Sequence, residues 1–178
     1  EKKREMLFRL NTRCAEIYSR YLYHEKGAEI ARNYLMKRGV TPDIGKKFSL
    51  GYAPSTEVEG WQFLSGKLGT EEIAAAVETG LLAKKDNGGT YDRFRDRIVF
   101  PLFDISGRVC GFGGRIVGDG QPKYMNSPES IIFNKSKVLL GLYHLKDSIR
   151  KKRRAILVEG NFDLISLVVH GCDNVVAP

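Results

Sequence analysis

Apolar positions recur along this chain first with a helical period and later with an extended one. Leu7, Leu10, Cys14, Ile17 and Tyr21 fall at alternating three- and four-residue steps, which predicts one long helix with a single apolar stripe. Arg9, Arg13 and Arg20 lie off that stripe, free to meet solvent or phosphate. Gly27 interrupts, and a second helix is expected over Ala28 to Arg38, closed by Gly39. Thr41-Pro42-Asp43 opens a third, with Thr as N-cap and Pro in the first turn. Two more helices are expected, over Glu57 to Leu68 and over Thr70 to Thr79, the latter capped by Thr70 and ended by Gly80. The first of these would carry Trp61, Phe63, Leu64 and Leu68 into the core.

Beyond Gly80 the pattern turns to strands. Arg97 to Phe103 is rich in β-branched and aromatic residues, and Pro101 points to an edge or a bulge. Ser106-Gly107 signals a hairpin turn, and Arg108 to Val117 returns as a strand. Gly111, Gly113 and Gly114 leave that strand bare, which marks a bulge or a place where another chain or ligand approaches the backbone. Pro122 to Asn126 is a third extended piece, and a helix is expected from Gly141 to about Lys152.

The stretch richest in chemistry follows. Ala155-Ile156-Leu157-Val158 predicts a short buried strand that delivers Glu159 to its C-terminal end, where Gly160 turns the chain into a helix over Phe162 to His170. Ligands of parallel α/β sheets sit at such strand ends. A helix N-terminus beside the carboxylate favours phosphate, although Asp163 in the first turn is also what the helix dipole alone would select.

Charge sharpens this picture. The formal net charge is +8, and the excess is local. Lys135 to Arg154 holds eight Lys and Arg against the single acid Asp147, whereas Thr41 to Leu82 is acidic on balance. A localised basic surface points to a polyanion, nucleic acid foremost. Arg93, Arg95 and Arg97 alternate, so an extended segment would turn all three to one side. Arg115, Lys123, Lys135 and Lys137 follow, a set suited to a phosphate backbone or a triphosphate. Lys151 to Arg154 reads as a cationic helix C-terminus.

Several classes are set aside. No apolar run reaches the ~18 residues of a membrane helix, and no signal-peptide pattern is present. Cys14, Cys110 and Cys172 are too scattered for a disulfide framework or a zinc site, and are expected as small apolar residues in a reducing cytoplasm. His24, His144 and His170 have no metal spacing. The chain opens at Glu1 and stops just after Val175-Val176-Ala177-Pro178, a second expected strand, so it reads as an excised segment with an α/β unit barely begun.

The run YDRFRDRIVFPLFDISGRVCGFGGRIVGDGQPKYMNSPES closely resembles the central part of bacterial replicative DNA primases (DnaG-type). IIFNKSKVLLGLYHL and RAILVEGNFDLISL continue the resemblance in order, and EGNFD is similar to the first motif of the Toprim domain that primases share with topoisomerases and some nucleases. YLMKRGVTPDIGKKFSLGYAP resembles the start of the primase catalytic core; the weakest stretch is Ser55 to Ala75.

The resemblance implies an α/β fold, an α+β subdomain followed by a truncated Toprim-like domain. Residues 1–136 would form the basic subdomain, helical over 1–80 and mixed over 81–136, and 137–178 would begin the Toprim domain. It implies synthesis of short RNA primers on single-stranded DNA from ribonucleoside triphosphates, with Glu159 as the catalytic and metal-binding carboxylate. Arg93, Arg95, Arg115, Lys123, Asn126 and Lys135 would line the nucleic-acid and nucleotide groove. Ser127 and Glu129 lie in the same motif, and Asn126 and Ser127 suit a turn equally well. Mg²⁺ or Mn²⁺ is the implied cofactor, with the remaining acids beyond Pro178 and no zinc site within the segment. A replicative helicase is the implied partner, through a C-terminal module absent here, and the segment by itself is expected to be inactive. Another Toprim activity, nuclease or topoisomerase, and a non-catalytic single-strand binding module are the competing readings.

Overall fold

The computed structural model describes all residues from Glu1 to Pro178. A long helix α1 (Lys2–His24) lies across a four-stranded antiparallel sheet ordered β1 (Gly51–Ala53), β4 (Arg97–Phe103), β5 (Val109–Ile116), β6 (Tyr124–Asn126). Its apolar face is broader than the predicted stripe. Phe8, Ala15, Tyr18 and Leu22 are buried beside Leu7, Leu10, Cys14 and Tyr21, while Ile17 is only half-buried. Tyr18 meets the ring of Phe112 edge-on, which fixes the helix to β5.

Helices α2 (Glu29–Lys37) and α3 (Pro42–Lys47) form as expected, with Thr41 accepting the Ile44 N–H at 3.4 Å. The predicted helix over 57–68 does not. Helix α4 (Thr56–Glu59) stops at Gly60, whose φ of +76° leaves the helical region, and only a 3₁₀ turn at Ser65–Lys67 follows. Asp92 explains the irregular backbone between them: its buried carboxylate accepts the N–H groups of Leu64 (2.6 Å) and Ser65 (3.2 Å). Burial raises the Asp92 pKa in spite of those bonds. Phe63, Leu64 and Leu68 are core, but Trp61 is 52% exposed. Helix α5 (Thr70–Glu78) is capped by Gly69, not by Thr70, and Glu72 reaches back to the Gly69 N–H at 2.8 Å. A small hairpin, β2 (Leu82–Lys84) with β3 (Thr90–Asp92), leads into the main sheet.

Pro101 sits on β4, which has neighbours on both sides only as far as Val99, where β1 ends. Its missing N–H therefore falls where β4 has become an edge, and a register shift follows between Leu102 and Phe103. Gly107 and Asp104 close the β4–β5 turn, Asp104 accepting the N–H groups of Ser106 and Arg108.

Helix α6 (Leu142–Lys152) and helix α7 (Asn161–Val169) flank a parallel pair, β7 (Ile156–Leu157) and β8 (Val175–Val176), with Leu140 bridging to Ala177. Strand β8 is buried, as expected. Strand β7 is not: Ile156 and Leu157 are 40% and 68% exposed, since nothing within these residues covers that side of the pair. One apolar cluster runs from Leu7 to Ala177 and joins the main sheet to the β7–β8 unit.

Candidate active site and nucleic-acid interface

Strand β5 organises the site through alternate residues on one face. Paired residues of an antiparallel ladder share a face, so Gly111, Gly113 and Arg115 align with Leu102, Phe100 and Ile98 of β4. Asn126 and Tyr124 of β6 pair with Gly113 and Arg115. The bare glycines admit neighbours from this chain itself. An added Cβ at Gly111 would touch the Phe133 ring at 3.0 Å, and one at Gly113 would lie 3.1 Å from Asn161 Nδ2. The room beside Arg115 is thus filled by the loop bearing Phe133 and by the EGNFD loop.

That contact seats the turn after Glu159 against the sheet. Val158 donates to Val176 at 3.0 Å, extending the ladder, and Glu159 and Gly160 then turn into α7. Glu159 is exposed. Phe162 in the first turn of α7 is buried edge-on against Phe100 of β4 at 5.2 Å and Tyr34 of α2 at 5.6 Å, so the loop is held from both sides.

The predicted basic residues separate into groups. Arg115 lies between the rings of Tyr34 and Tyr124, at 5.8 and 5.4 Å, two positions along β5 from the Asn161 seat. Lys123 is exposed beside Tyr124, and Asn126 is exposed opposite Gly113. Lys135 is exposed in the loop that sets Phe133 on Gly111. Arg115 and Asn126 thus share the face on which Asn161 rests, while Lys123 and Lys135 lie in the chain segments that adjoin it.

Arg93, Arg95 and Arg97 do not share a side. The backbone between β3 and β4 turns at Asp96, whose φ is +50°, and breaks the extended alternation. Arg97 is 3% exposed and its guanidinium donates to the carbonyls of Pro122 (2.6 Å), Lys123 (3.4 Å) and Gly114 (3.4 Å). Burial lowers its pKa, with the charges of Arg95 and Arg115 adding to the effect. Arg93 donates to the Gly80 carbonyl at 3.2 Å. Arg95 stacks over the exposed ring of Trp61 at 4.5 Å and nears Tyr91 at 5.7 Å. This surface was hidden from sequence reasoning by the helix expected over 57–68; Gly60, directly before Trp61, was the available signal.

Two neighbouring residues of the same motif bond within the chain. Ser127 is buried, accepting the Phe112 N–H at 2.9 Å and donating its own N–H to the Phe112 carbonyl at 2.8 Å, so it holds β5. Glu129 accepts the Lys135 N–H at 2.8 Å and shapes that loop.

A family model described as "DNA primase catalytic core, N-terminal domain" matches residues 17–146. The chain belongs to the DNA primase family. It is 41% identical to the DNA primase of Pseudomonas aeruginosa over 174 residues, 96% of this chain and 26% of that relative. Among solved structures, a DnaG primase catalytic domain bound to ssDNA superposes with a TM-score of 0.91 at 36% identity, covering 99% of this chain and 56% of that one. An Escherichia coli primase catalytic core gives 0.89 at 38% identity, covering 96% and 54%. The chain therefore spans about a quarter of that Pseudomonas primase and just over half of each solved core. No helix is long and apolar enough to cross a membrane.

Proposed function

We propose that the protein bearing this segment synthesises RNA primers on single-stranded DNA from ribonucleoside triphosphates, in the cytoplasm, and that Glu159 is its catalytic carboxylate. The observation that supports this reading is the seat of Asn161, two residues after the exposed Glu159, on Gly113, the β5 residue paired with Asn126 and two positions from Arg115. The division into a basic subdomain over 1–136 and the start of a Toprim domain over 137–178 belongs to the same proposal.

The reaction joins a primer 3′-hydroxyl to the α-phosphate of the next nucleotide and releases pyrophosphate. It asks chiefly for alignment and for neutralised charge. Arg115, Lys123 and Lys135 hold phosphate oxygens, Asn126 offers an amide at the edge of the groove, and Glu159 takes the hydroxyl proton through water. Hard divalent cations favour carboxylate and water ligands. No three His, Cys, Asp or Glu side chains gather in this chain, so Glu159 fits as one ligand of Mg²⁺ or Mn²⁺ and not as a whole site. Such an ion, when bound, would supply positive charge to the reacting phosphate.

The template is proposed to extend onto Trp61 and Arg95, an exposed ring with a guanidinium stacked on it, which suits unpaired bases. That a related catalytic domain has been solved bound to ssDNA supports single-stranded DNA as the ligand. A replicative helicase would be engaged by a region outside these residues.

The test is labelled ribonucleotide incorporation on single-stranded DNA by the full-length protein, beside Glu159→Gln. Short RNA from the parent and none from the variant is expected. Metal-dependent DNA cleavage without RNA would move the assignment to a nuclease. Salt-sensitive DNA binding with neither activity would reduce it to a binding module.

A further inference from the structure

A largely apolar groove of about 480 Å³ lies between the N-terminal part of α1, the β4–β5 turn, the loop over 130–139 and the start of α6. None of Arg115, Asn126 and Glu159 lines it. Its walls are fixed by packing. Phe103 and Tyr143 stack at 5.7 Å and 16°. Phe133 is seated on Gly111, where an added Cβ would stand 3.0 Å from its ring, and the Arg108 guanidinium covers Phe8 at 4.0 Å.

Two large lining side chains have no such cover: Ile105 is 72% exposed and Ile131 is 49% exposed. A single exposed isoleucine is ordinary, but two from separate segments on one apolar groove make a patch of the kind that marks an interaction surface.

Charge narrows the choice of partner. Asp104 is the only acid along the groove, and its carboxylate is already used. It accepts the N–H groups of Ser106 and Arg108, each at 2.9 Å, and pairs with the Arg108 side chain at 2.8 Å. Arg4 and Lys137 also line the groove; both are exposed and neither is ion-paired. The free charge around the apolar walls is therefore positive. A partner complementary to both features carries carboxylates beside large apolar side chains. A nucleic-acid strand supplies the anions but no aliphatic side chains for these walls.

We propose that this groove docks an acidic peptide segment of a partner protein that bears leucine or aromatic anchors. The anchors lie against Ile105, Ile131 and Tyr143, and the carboxylates pair with Arg4 and Lys137. The proposal is independent of the chemistry assigned to Glu159.

The test selects a phage-displayed library of random peptides on the full-length protein. The strongest binder is then synthesised with a fluorescent label and titrated by anisotropy. The selected sequences are expected to combine acidic with large apolar residues, and their affinity should fall as salt rises. Ile131→Glu should weaken the labelled peptide by about tenfold or more, and Arg4→Glu by about three- to tenfold. Neither variant should shift the melting midpoint, since Ile131 is half exposed and an acid in the first turn of α1 suits the helix dipole. Failure to enrich any peptide, or enrichment of basic or uncharged ones, would overturn the proposal. So would parental binding of the selected peptide by both variants. Displacement of the peptide by oligothymidylate, with weaker oligothymidylate binding by Ile131→Glu, would assign the groove to nucleic acid instead. A dimer in sedimentation that Ile105→Ser abolishes would assign it to a second copy of the chain, and either result overturns the peptide site.

Discussion

Asn161 rests on the bare backbone of Gly113: a β-carbon there would stand 3.1 Å from its amide nitrogen and 3.2 Å from Asn126 Oδ1. Asn161 lies two residues beyond Glu159, so this one approach couples the sheet to the carboxylate.

Gly113→Ala should therefore separate stability from activity. The neighbouring amides must shift by a few tenths of an ångström, and the fold should lose about 1 kcal/mol. Primer synthesis should fall further, on the order of tenfold, because the loop bearing Glu159 is displaced. Thermal unfolding and incorporation measured on one preparation decide this; full activity would show that the seat does not align Glu159.

Arg97 and Arg95, two residues apart, should fail in different ways. Arg97→Met leaves the carbonyls of Pro122, Lys123 and Gly114 without their donor and should cost about 2–3 kcal/mol in denaturant unfolding. Arg95→Ala should change stability by less than about 0.5 kcal/mol. It should instead weaken single-stranded DNA binding and reduce the log–log salt slope by about 0.7. An Arg97→Met protein as stable as the parent would remove its structural role.

His144 should make stability pH-dependent. It packs among Phe48, Phe103 and Tyr143, and burial first, then Lys47, push its pKa down to about 4. The unfolded chain gains that proton near pH 6.5 and the folded one does not. The neutral imidazole is thus fully accommodated above pH 6.5, and stability is lost as pH falls from there toward 4, by about 2–3 kcal/mol at most. The difference between parent and His144→Phe, followed from pH 7.5 to about 4.5, should shrink the parent's loss by this amount. Parallel profiles would show that His144 titrates normally.

Gly80→Ala should destabilise strongly. Its φ is +75°, and a β-carbon would meet Pro128 Cδ at 2.1 Å, a ring atom with little freedom to retreat. A loss of about 3 kcal/mol is expected by denaturant titration. An unchanged midpoint would mean that the Pro128 loop is loosely seated.

What could be read from the sequence was local. The period of Leu7, Leu10, Cys14 and Tyr21, the Thr41-Pro42 cap, the Ser106-Gly107 turn and the strand–Glu159–helix order all depend on neighbours within a few residues. Periodicity and turn chemistry act at that range, and the elements formed where they were expected. The family resemblance was equally legible, because it lies in contiguous runs.

Tertiary structure decided what depends on distant partners. Asp92 drew in the N–H groups of Leu64 and Ser65, so Trp61 came to the surface under Arg95 rather than into a helix. A positive φ at Asp96 turned Arg97 inward and broke an alternation that sequence spacing alone predicts. Tyr34 met Arg115 across 81 positions of chain, and no periodic signal carries a contact between separate elements. Side-chain pattern selects an element and its buried face, but the meeting of two faces is set by the packing of the whole core.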